Sequence, residues 1–336
     1  MAIHPTTKAV GLLANDIMKL TIFTRKVDCD DSRAGFFHDW LYKLAERVDF
    51  LSIVCLEQGK HNLPDNTEII CLGKGRLWRF LRFLYKNPIR HTDAVFCHQC
   101  PIYTILSWLP AKIFRKKLLM WHTHGTKTRK LWLASKMADK ILTATKDSFP
   151  YDNNKLVVTG HGIDTDALTL SDTDEGYLLY IGRISPIKCL EDILWTPHKK
   201  IVIGEATDSD YLVEVQRTAY NTTWLGGLPH NKLTKYIQDC SVLISASRTN
   251  SLDKVFLEAM ACGKPVLTSN PTVANILGKY KEQLTFSDRA ELLLKLEKLL
   301  KKSKEERKEM GDYLRRIVVE HHTLDNLCDR IVKETE

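Results

Sequence analysis

The chain has 336 residues, of which 44% are hydrophobic, and its formal net charge at pH 7 is +8. This length is large for a single core and predicts two domains of roughly 150 residues each. The hydrophobic share is that of an ordinary globular protein, and no apolar run approaches the roughly 20 residues that a membrane-spanning helix needs.

The first half of the chain alternates strand and helix patterns. Buried strands are predicted at Lys19–Thr24, Phe50–Leu56, Glu68–Leu72, Ala94–His98, Leu118–Trp121, Lys140–Ala144 and Leu156–Thr159. An amphipathic helix is predicted at Phe36–Arg47, after a loop that ends in Ala34 and Gly35. Strands that alternate with helices indicate right-handed crossovers and a parallel sheet.

Residues 160–175 are rich in Gly, Asp and Thr, and we interpret them as the connector between the two domains. A second set of strands is predicted at Tyr177–Ile181, Lys200–Ile203, Thr223–Leu225, Val242–Ser247 and Val266–Thr268. Arg289–Arg316 has the pattern of two surface helices, and His322–Lys333 has that of a terminal helix. The sequence thus predicts an α/β protein with two Rossmann-like domains that face a cleft.

Two cations follow the strand Tyr177–Ile181, in the loop Gly182–Lys188. Arg183 and Lys188 lie five residues apart in this loop, so both charges can converge on one anion. A helix that opens near Cys189 would add backbone N–H groups aimed the same way. A diphosphate suits this arrangement, and the alternative is a pair of solvated surface charges.

A second motif follows the strand Val242–Ser247. Residues 257–266, LEAMACGKPV, predict a short apolar helix that stops at a glycine and reopens as a strand. The loop between the strand Val242–Ser247 and this helix lies at the carboxyl end of the strand, where ligands bind in open α/β sheets. The whole segment resembles the donor-site signature of retaining GT-B glycosyltransferases, the sucrose- and glycogen-synthase-like enzymes of group 1.

This resemblance implies roles for residues of the second domain. Gly182, Arg183 and Lys188 match the family's G-R-x-x-x-x-K element, whose Arg and Lys bind the diphosphate of a nucleotide sugar. Glu258 matches a glutamate that accepts hydrogen bonds from the ribose hydroxyls, a task that suits an acceptor-only carboxylate. The alternative for Glu258 is a surface acid near the start of its helix, favoured by the helix dipole.

The resemblance also reaches the first domain. Residues 118–125, LLMWHTHG, resemble the family's strand end that delivers a histidine to the cleft, and His124 aligns with the histidine that contacts the transferred sugar. His122 points elsewhere if the strand pleat continues. Gly35 matches the glycine of the first βα loop, where a missing Cβ lets backbone approach the donor phosphate. A structural histidine is the alternative for His124.

The chain departs from the family in the loop that meets the donor sugar. Asn250 stands at the family's first glutamate, and Ser251, Leu252 and Asp253 stand where its glycines are usual. The sugar thereby loses a charged acceptor, and whether Asp253 replaces it stays open. The segment Asn270–Thr272 also stands where two glycines are common. A GT-B-fold protein that binds nucleotide or sugar with impaired catalysis is therefore the alternative to an active enzyme.

The resemblance implies transfer of a sugar from a nucleotide-diphosphate sugar to a glycan or lipid-linked acceptor, with retention of configuration. Arg183, Lys188 and His124 are the expected catalytic residues, without a metal or other cofactor, because the two cations supply the charge that a metal would. The predicted domains are 1–165 for the acceptor and 166–318 for the donor, with 319–336 as a helix that crosses back onto the first. A dehydrogenase is excluded, because no G-x-G-x-x-G follows a predicted strand.

Charge is distributed unevenly, with a net +10 on residues 1–165 and −2 on residues 166–336. Arg76–Lys86 alternates arginines with aromatic and aliphatic residues, as an interfacial helix or a helix packed on the sheet would. Lys112–Ala138 holds eight basic residues and no acid. No recognition motif supports nucleic acid as a partner. An anionic membrane surface or a lipid-linked acceptor explains both features together.

The chain has nine cysteines at scattered positions, which favours reduced thiols over a disulfide framework. Cys97 and Cys100 form the one close pair, and no second pair completes a zinc site, so we interpret them as structural.

Residues 1–17 lack the apolar core of a signal peptide. We therefore expect a cytoplasmic protein that associates peripherally with a membrane.

Overall fold

The computed structural model describes residues 18–73, 75, 88–249 and 251–336. Residues 1–17, the basic segment Arg76–Lys86 and Asn250 lie outside the described residues. Within them the predicted α/β class is confirmed, because helices alternate with strands and every strand pair is parallel.

The first sheet has seven strands in the order β5-β3-β1-β6-β7-β8-β9. These strands are β1 Lys19–Phe23, β3 Phe50–Cys55, β5 Thr67–Cys71, β6 Ala94–His98, β7 Lys117–Trp121, β8 Lys140–Thr143 and β9 Leu156–Val158. Two short strands, β2 Lys26–Val27 and β4 Glu57–Gln58, extend from the ends of β1 and β3 as a separate pair. The sequence pattern did not predict this pair, since two residues are too few to show a period.

The second sheet has five strands in the order β12-β11-β10-β13-β14. Its strands are β10 Leu178–Ile181, β11 Lys200–Ile203, β12 Thr222–Gly226, β13 Val242–Ser245 and β14 Val266–Thr268. Strand β13 is buried along its whole length, as its apolar run predicted.

Helices cover both faces of the first sheet. They are α1 Gly35–Ala45, α2 Pro101–Ile113 and α3 Arg129–Met137. Helix α1 buries Phe37, Trp40, Leu41 and Leu44, which share one helical face, against the sheet. Helices α2 and α3 pack side by side on the opposite face, and Thr128 caps α3 by accepting a hydrogen bond from the Leu131 N–H.

The remaining helices are α4 Glu191–Leu194, α5 Ser209–Thr218, α6 His230–Asp239, α7 Lys254–Ala261, α8 Pro271–Ala274, α9 Lys281–Leu284, α10 Arg289–Leu300, α11 Lys304–His321 and α12 Leu324–Thr335. Helix α12 packs its apolar face against α1 and the first sheet. We call the first sheet with α1–α3 and α12 the first lobe, and the second sheet with α4–α11 the second lobe. The domain boundaries at 165 and 318 stay predictions.

The two lobes are joined where the connector after β9 meets the segment between α11 and α12. Ile163 pairs with this segment, donating its N–H to the His322 carbonyl and accepting one from the Leu324 N–H. Gly160 and Gly162 have positive φ, and a Cβ at either would clash with that segment or with α12. Only glycine at these two positions lets the connector lie this close to the segment between α11 and α12 and to α12 itself.

The sheet orders locate the place where a ligand would bind. In each sheet the direction of winding reverses once, between β1 and β6 in the first lobe and between β10 and β13 in the second. At such a reversal the loops at the carboxyl ends of neighbouring strands leave in opposite directions and open a crevice.

No helix of the described residues is long and apolar enough to span a bilayer.

Candidate active site

A cavity of about 750 Å³ lies between the lobes at these two reversal points. Its walls include Thr24, His98 and His124 after strands of the first lobe, and Arg183 and Asp253 from the second. Its volume falls within the roughly 300–1,000 Å³ that is typical of ligand sites. The sheet topology therefore brings residues from distant parts of the sequence into one site.

Arg183 and Lys188 both line this cavity, in the loop after β10. The helix predicted near Cys189 is present, but it begins at Glu191 and spans only four residues. Pro186–Lys188 form a 3-10 turn, Cys189 has the left-handed φ of 48°, and α4 begins only at Glu191. The left-handed residue breaks the helical path, so the anion site here consists of side chains and turn backbone rather than the end of a long helix.

The charges of these two cations are placed differently. Arg183 is exposed to the cavity, and its guanidinium forms no ion pair with the residues that the structure describes. Lys188 is buried, and its Nζ lies 2.7 Å from Asp253 Oδ2. A charge this poorly solvated requires a partner, so Asp253 holds the ammonium of Lys188 at the cavity wall.

Glu258 is buried in the second lobe and lies in the middle of α7, which corrects the expectation that it begins the helix. Its Oε1 is 2.7 Å from His230 Nε2 and 3.3 Å from Lys254 Nζ. These neighbours outweigh the desolvation of burial and lower the Glu258 pKa to about 2. The carboxylate is therefore ionised and lines the cavity, which excludes the surface-acid alternative.

The loop before α7 is held by one side chain from the connector between the lobes and one from the second lobe. His161 Nε2 donates to the Leu252 carbonyl at 3.1 Å, and Asn270 Nδ2 donates to the Ser251 carbonyl at 2.8 Å. The Asn270 carboxamide oxygen also caps α8 by accepting from the Thr272 N–H. Asn270 thus anchors the loop, whereas the sequence marked it only as a departure from the family.

The two glycines predicted at the donor site lie in different settings. Gly182 lines the cavity, and a Cβ there would lie 2.9 Å from the Tyr180 hydroxyl. Gly35 begins α1, and a Cβ there would lie 3.0 Å from the Cys29 carbonyl oxygen and 3.7 Å from His230 Cβ. The missing Cβ of Gly35 therefore allows close packing against both its own loop and the second lobe.

The first-lobe wall of the cavity carries histidines. His124 faces the cavity, and its pKa is lowered by desolvation and by the charges of Arg183 and Lys188, while Asp253 raises it. His122 is buried, its Nδ1–H donates to the Gln99 carbonyl at 3.0 Å, and desolvation lowers its pKa to about 4. The prediction that the pleat turns His122 away from His124 is wrong: β7 ends at Trp121, and the two imidazole rings lie 5.6 Å apart in an edge-to-face contact.

Sequence reasoning missed His98 and Gln99, which end β6 at the reversal point. Gln99 has a φ of 62°, and the Cys100 N–H donates to the His98 carbonyl at 2.7 Å, forming a strained γ-turn. His98 Nε2 and Gln99 Oε1 are buried without a hydrogen-bond partner in the described part of the chain, although both residues line the cavity. Their position directly after a buried strand was the signal that could have identified them.

Contacts between the lobes surround the cavity entrance. Arg33 and Ser32 of the first lobe both bind Glu205, at 2.6 Å and 2.7 Å. Lys254 Nζ lies 4.6 Å from the centre of the Phe36 ring, a cation–π contact between the lobes. The sequence did not indicate these residues, because each pair joins positions more than 150 residues apart.

The described residues contain no group of three or more His, Cys, Asp or Glu that could hold a metal ion. Cys97 is fully buried in β6, and burial raises its pKa to about 12. Burial also raises the pKa of Cys100. Neither thiol therefore has the lowered pKa of a redox-active or metal-binding cysteine.

Comparisons with known proteins agree with this architecture. Residues 164–317 match the family model described as Glycosyl transferases group 1. A comparison with curated protein sequences gave no significant match.

Solved structures match nearly the whole chain. HepE from Anabaena, solved in complex with UDP, shares 15% identity and a TM-score of 0.74, over 94% of this chain and 99% of that one. Sucrose-phosphate synthase from Thermosynechococcus elongatus shares 14% identity and a TM-score of 0.73, over 94% and 98%. WaaG, a glycosyltransferase involved in lipopolysaccharide biosynthesis, shares 13% identity and a TM-score of 0.65, over 94% and 99%. The chain has the GT-B fold, and the resemblance of its second half to group 1 glycosyl transferases is confirmed.

Proposed function

We propose that the protein is a glycosyltransferase that uses a nucleotide-diphosphate sugar as donor. One observation carries this proposal: Arg183, Lys188 and the ionised Glu258 line a single cavity, opposite His124 of the other lobe. Two cations suit a diphosphate, and a buried carboxylate suits vicinal hydroxyls of a ribose. The match of residues 164–317 to group 1 glycosyl transferases and the UDP complex of the similar HepE support the same donor class.

In this proposal the second lobe binds the donor. Arg183 and Lys188 stabilise the negative charge that develops on the leaving diphosphate, so neither a metal nor another cofactor is needed. Asn250, Ser251, Leu252 and Asp253 meet the donor sugar, and Gly35 and Gly182 let backbone approach the phosphates. His124 contacts the transferred sugar as a neutral imidazole, and we propose retention of configuration.

The first lobe would then bind the acceptor. Its cavity wall offers neutral groups, including the unpartnered atoms of His98 and Gln99, which suit the hydroxyls of a glycan. We propose a glycan or lipid-linked acceptor that a cytoplasmic enzyme reaches as a peripheral protein at an anionic membrane. The positive charge of residues 1–165 supports this choice.

The alternative function is binding of nucleotide or sugar without efficient catalysis. It is favoured by Asn250 in place of the family's glutamate, and by the ion pair that occupies Lys188 with Asp253. In such a protein the donor site would persist while the sugar is held in an unproductive position.

A panel of nucleotide sugars, scored by the nucleoside diphosphate released, tests the proposal. We expect one donor to be consumed in excess EDTA when the acceptor is supplied, and the anomeric configuration of the product, read by NMR, to equal that of the donor. Nucleotide binding, measured as a shift in melting temperature, should accompany transfer. Binding without consumption of any donor would establish the alternative, and absence of both would refute the site.

Two variants link the result to the site. Glu258→Ala should weaken nucleoside diphosphate binding, whereas Asn250→Ala should lower turnover and leave that binding nearly intact, since sugar and nucleotide contact different groups. Robust transfer that is unchanged in Asn250→Ala would show that this residue does not meet the sugar.

A further inference from the structure

Helix α2 carries an apolar stripe that nothing in the described structure covers. Ile102, Leu106, Leu109 and Ile113 recur at helical spacing along one face, and their exposure lies between 40% and 64%. The buried face of the same helix is formed by other residues, among them Tyr103 and Ala111. The stripe is therefore a second apolar face, in addition to the one that packs on the sheet.

The neighbouring helix α3 extends this surface. Trp132 and Leu133 are exposed by 52% and 37%, and α3 packs directly against α2 on the same side of the sheet. An exposed tryptophan beside exposed leucines is typical of surfaces that enter the interfacial region of a membrane. We call the exposed face of α2 and α3 the α2–α3 surface.

Basic side chains border the α2–α3 surface at both ends. The exposed ones are Lys112, Arg115, Lys117, Lys127, Arg129, Lys130 and Lys136. Residues 112–138 contain no acid, and the first one beyond them, Asp139, pairs with Lys112 at 3.1 Å. An apolar face bordered by cations is complementary to a layer of acyl chains beneath anionic headgroups.

We infer that the α2–α3 surface docks the protein on an anionic lipid bilayer. The apolar side chains enter the interface, while the lysines and arginines bind headgroup phosphates. The biological role of this docking rests on the proposed function, because docking would bring the cavity to a lipid-linked acceptor. The side chains that support the docking are separate from the donor site.

The position of the surface relative to the cavity supports this arrangement. Helix α2 begins at Pro101, directly after Cys100, which lines the cavity. Helix α3 begins a few residues after His124, which lines it as well. The apolar stripe thus starts beside the first-lobe wall, so a docked protein holds its acceptor side next to the membrane.

A second copy of the chain is disfavoured as the occupant. A two-fold symmetric interface places the same patch of both subunits face to face. The exposed cations on each side, six of which pair with no acid among the described residues, would then repel one another, and like charges across an interface cost several kcal/mol. An anionic bilayer removes this repulsion and supplies the opposite charge.

The test is co-sedimentation with vesicles of phosphatidylcholine mixed with phosphatidylglycerol, and with vesicles of phosphatidylcholine alone. We expect the protein to bind the anionic vesicles at low salt and to dissociate as salt rises. The double variant Leu106→Ser with Leu109→Ser should bind the anionic vesicles at least about tenfold more weakly, because it removes apolar side chains that enter the interface. Arg129→Glu with Lys130→Glu should weaken binding and reduce its salt dependence.

Matched controls lie on the second lobe. Leu294→Ser with Val213→Ser changes side chains of similar exposure, 55% and 47%, and Lys298→Glu with Lys301→Glu reverses exposed charges on and beside α10. Both controls should bind vesicles like the wild type. Circular dichroism of every variant should be unchanged, since only exposed side chains are altered.

The inference is overturned if the α2–α3 variants bind anionic vesicles as well as the control variants do. It is also overturned if the wild type binds neutral vesicles as well as anionic ones, or binds neither kind of vesicle. A concentration-dependent dimer that the leucine variant abolishes would also overturn it, in favour of a second copy. The docking variants should retain the melting-temperature shift given by UDP. Vesicle binding without any such shift would leave the docking surface supported and count against the proposed donor site alone.

Discussion

The second-lobe wall of the cavity, the charged wall, holds two paired charges beside Arg183, which is unpaired among the described residues, whereas the ends of β6 and β7 in the first lobe, the neutral wall, carry neutral histidines. Charged residues of the first lobe also line the cavity, namely Arg25, Lys26, Asp31, Arg33 and Glu57. Lys188 is paired with Asp253, and Glu258 with His230. Across the cavity, desolvation lowers the pKa of His98 to about 3 and that of His122 to about 4, so both are uncharged at neutral pH. The charged wall suits a charged nucleotide, and the neutral wall suits hydroxyl groups.

The difference follows from where each set of residues lies in its sheet. His98 ends β6 and His122 directly follows β7, and both are enclosed by the first lobe, with the His98 ring stacked 3.7 Å from that of Phe37. Such a place offers no counter-charge, so the neutral form is favoured. Lys188 and Glu258 are also buried, but each has a partner atom at 2.7 Å, and the partners of Glu258 keep its carboxylate ionised.

The largest effect is expected from the charged wall. Arg183→Ala or Lys188→Ala should lower turnover by about 100- to 1,000-fold, the usual effect of removing one group that stabilises developing charge. Nucleoside diphosphate affinity should fall by about 1.5–3 kcal/mol, the scale of a charged hydrogen bond. Calorimetric titration with UDP and a release assay would measure both.

Two further variants make that result specific. Arg217→Ala removes an exposed arginine on α5, outside the cavity, and should change neither quantity. Lys188→Ala combined with Asp253→Asn avoids an unpaired carboxylate and should fold with wild-type stability while binding UDP as weakly as Lys188→Ala. Wild-type UDP affinity in both single variants would exclude the two cations as the diphosphate site.

The neutral wall predicts a stability that depends on pH. The pKa of His98, His122, His161 and His322 is lowered to about 3 or 4, against about 6.5 in an unfolded chain. Between these values the unfolded state binds more protons, so the free energy of unfolding is highest above pH 6.5 and falls as the pH is lowered. Each histidine contributes a slope of up to about 1.4 kcal/mol per pH unit, and chemical denaturation from pH 7 to 4.5 would measure the total.

His122→Asn separates one contribution, because the amide can donate to the Gln99 carbonyl as His122 Nδ1–H does but does not titrate. The slope of the free energy of unfolding against pH should become smaller in this variant. Glu258, with a pKa of about 2 in the folded protein and about 4.3 in an unfolded chain, adds to the slope below about pH 5.5, so the effect of His122→Asn is read between about pH 5.5 and 7. An unchanged slope in His122→Asn would mean that this imidazole does not remain neutral in the folded protein.

A smaller effect tests how the charged wall acts on the neutral one. Because the charge of Arg183 lowers the His124 pKa and that of Asp253 raises it, Arg183→Ala should move this pKa upward and Asp253→Asn should move it downward. NMR titration of the imidazole would follow both shifts. Identical titration curves in the wild type and both variants would show that the two walls do not influence each other.

The smallest effect on stability is expected from the ion pair at the cavity entrance. The Arg33–Glu205 ion pair is about half exposed on both sides, so Arg33→Ala should change the free energy of unfolding by no more than about 1 kcal/mol. Because the pair joins the lobes, we expect a modest rise in KM for the donor instead. A loss of stability well above that limit would assign the lobe contact a structural role.

The sequence predicted the strands closely, because a buried parallel strand is a run of apolar residues that can be recognised locally. It also singled out Arg183, Lys188 and Glu258 through short motifs. It did not predict that the helix after β10 spans only four residues and follows a left-handed Cys189, since that conformation has no residue signature comparable to glycine.

The sequence by itself determined the α/β class, the two sets of strands and the residue types that can bind a diphosphate, because all of these depend on neighbours along the chain. Only the tertiary structure decided that Asp253 pairs with Lys188, that His98 and Gln99 face the same cavity, and that the second apolar face of α2 is exposed. These features depend on the order of strands in two sheets and on the contact between two lobes. Such distances are set by packing of residues far apart in sequence, which no local pattern encodes.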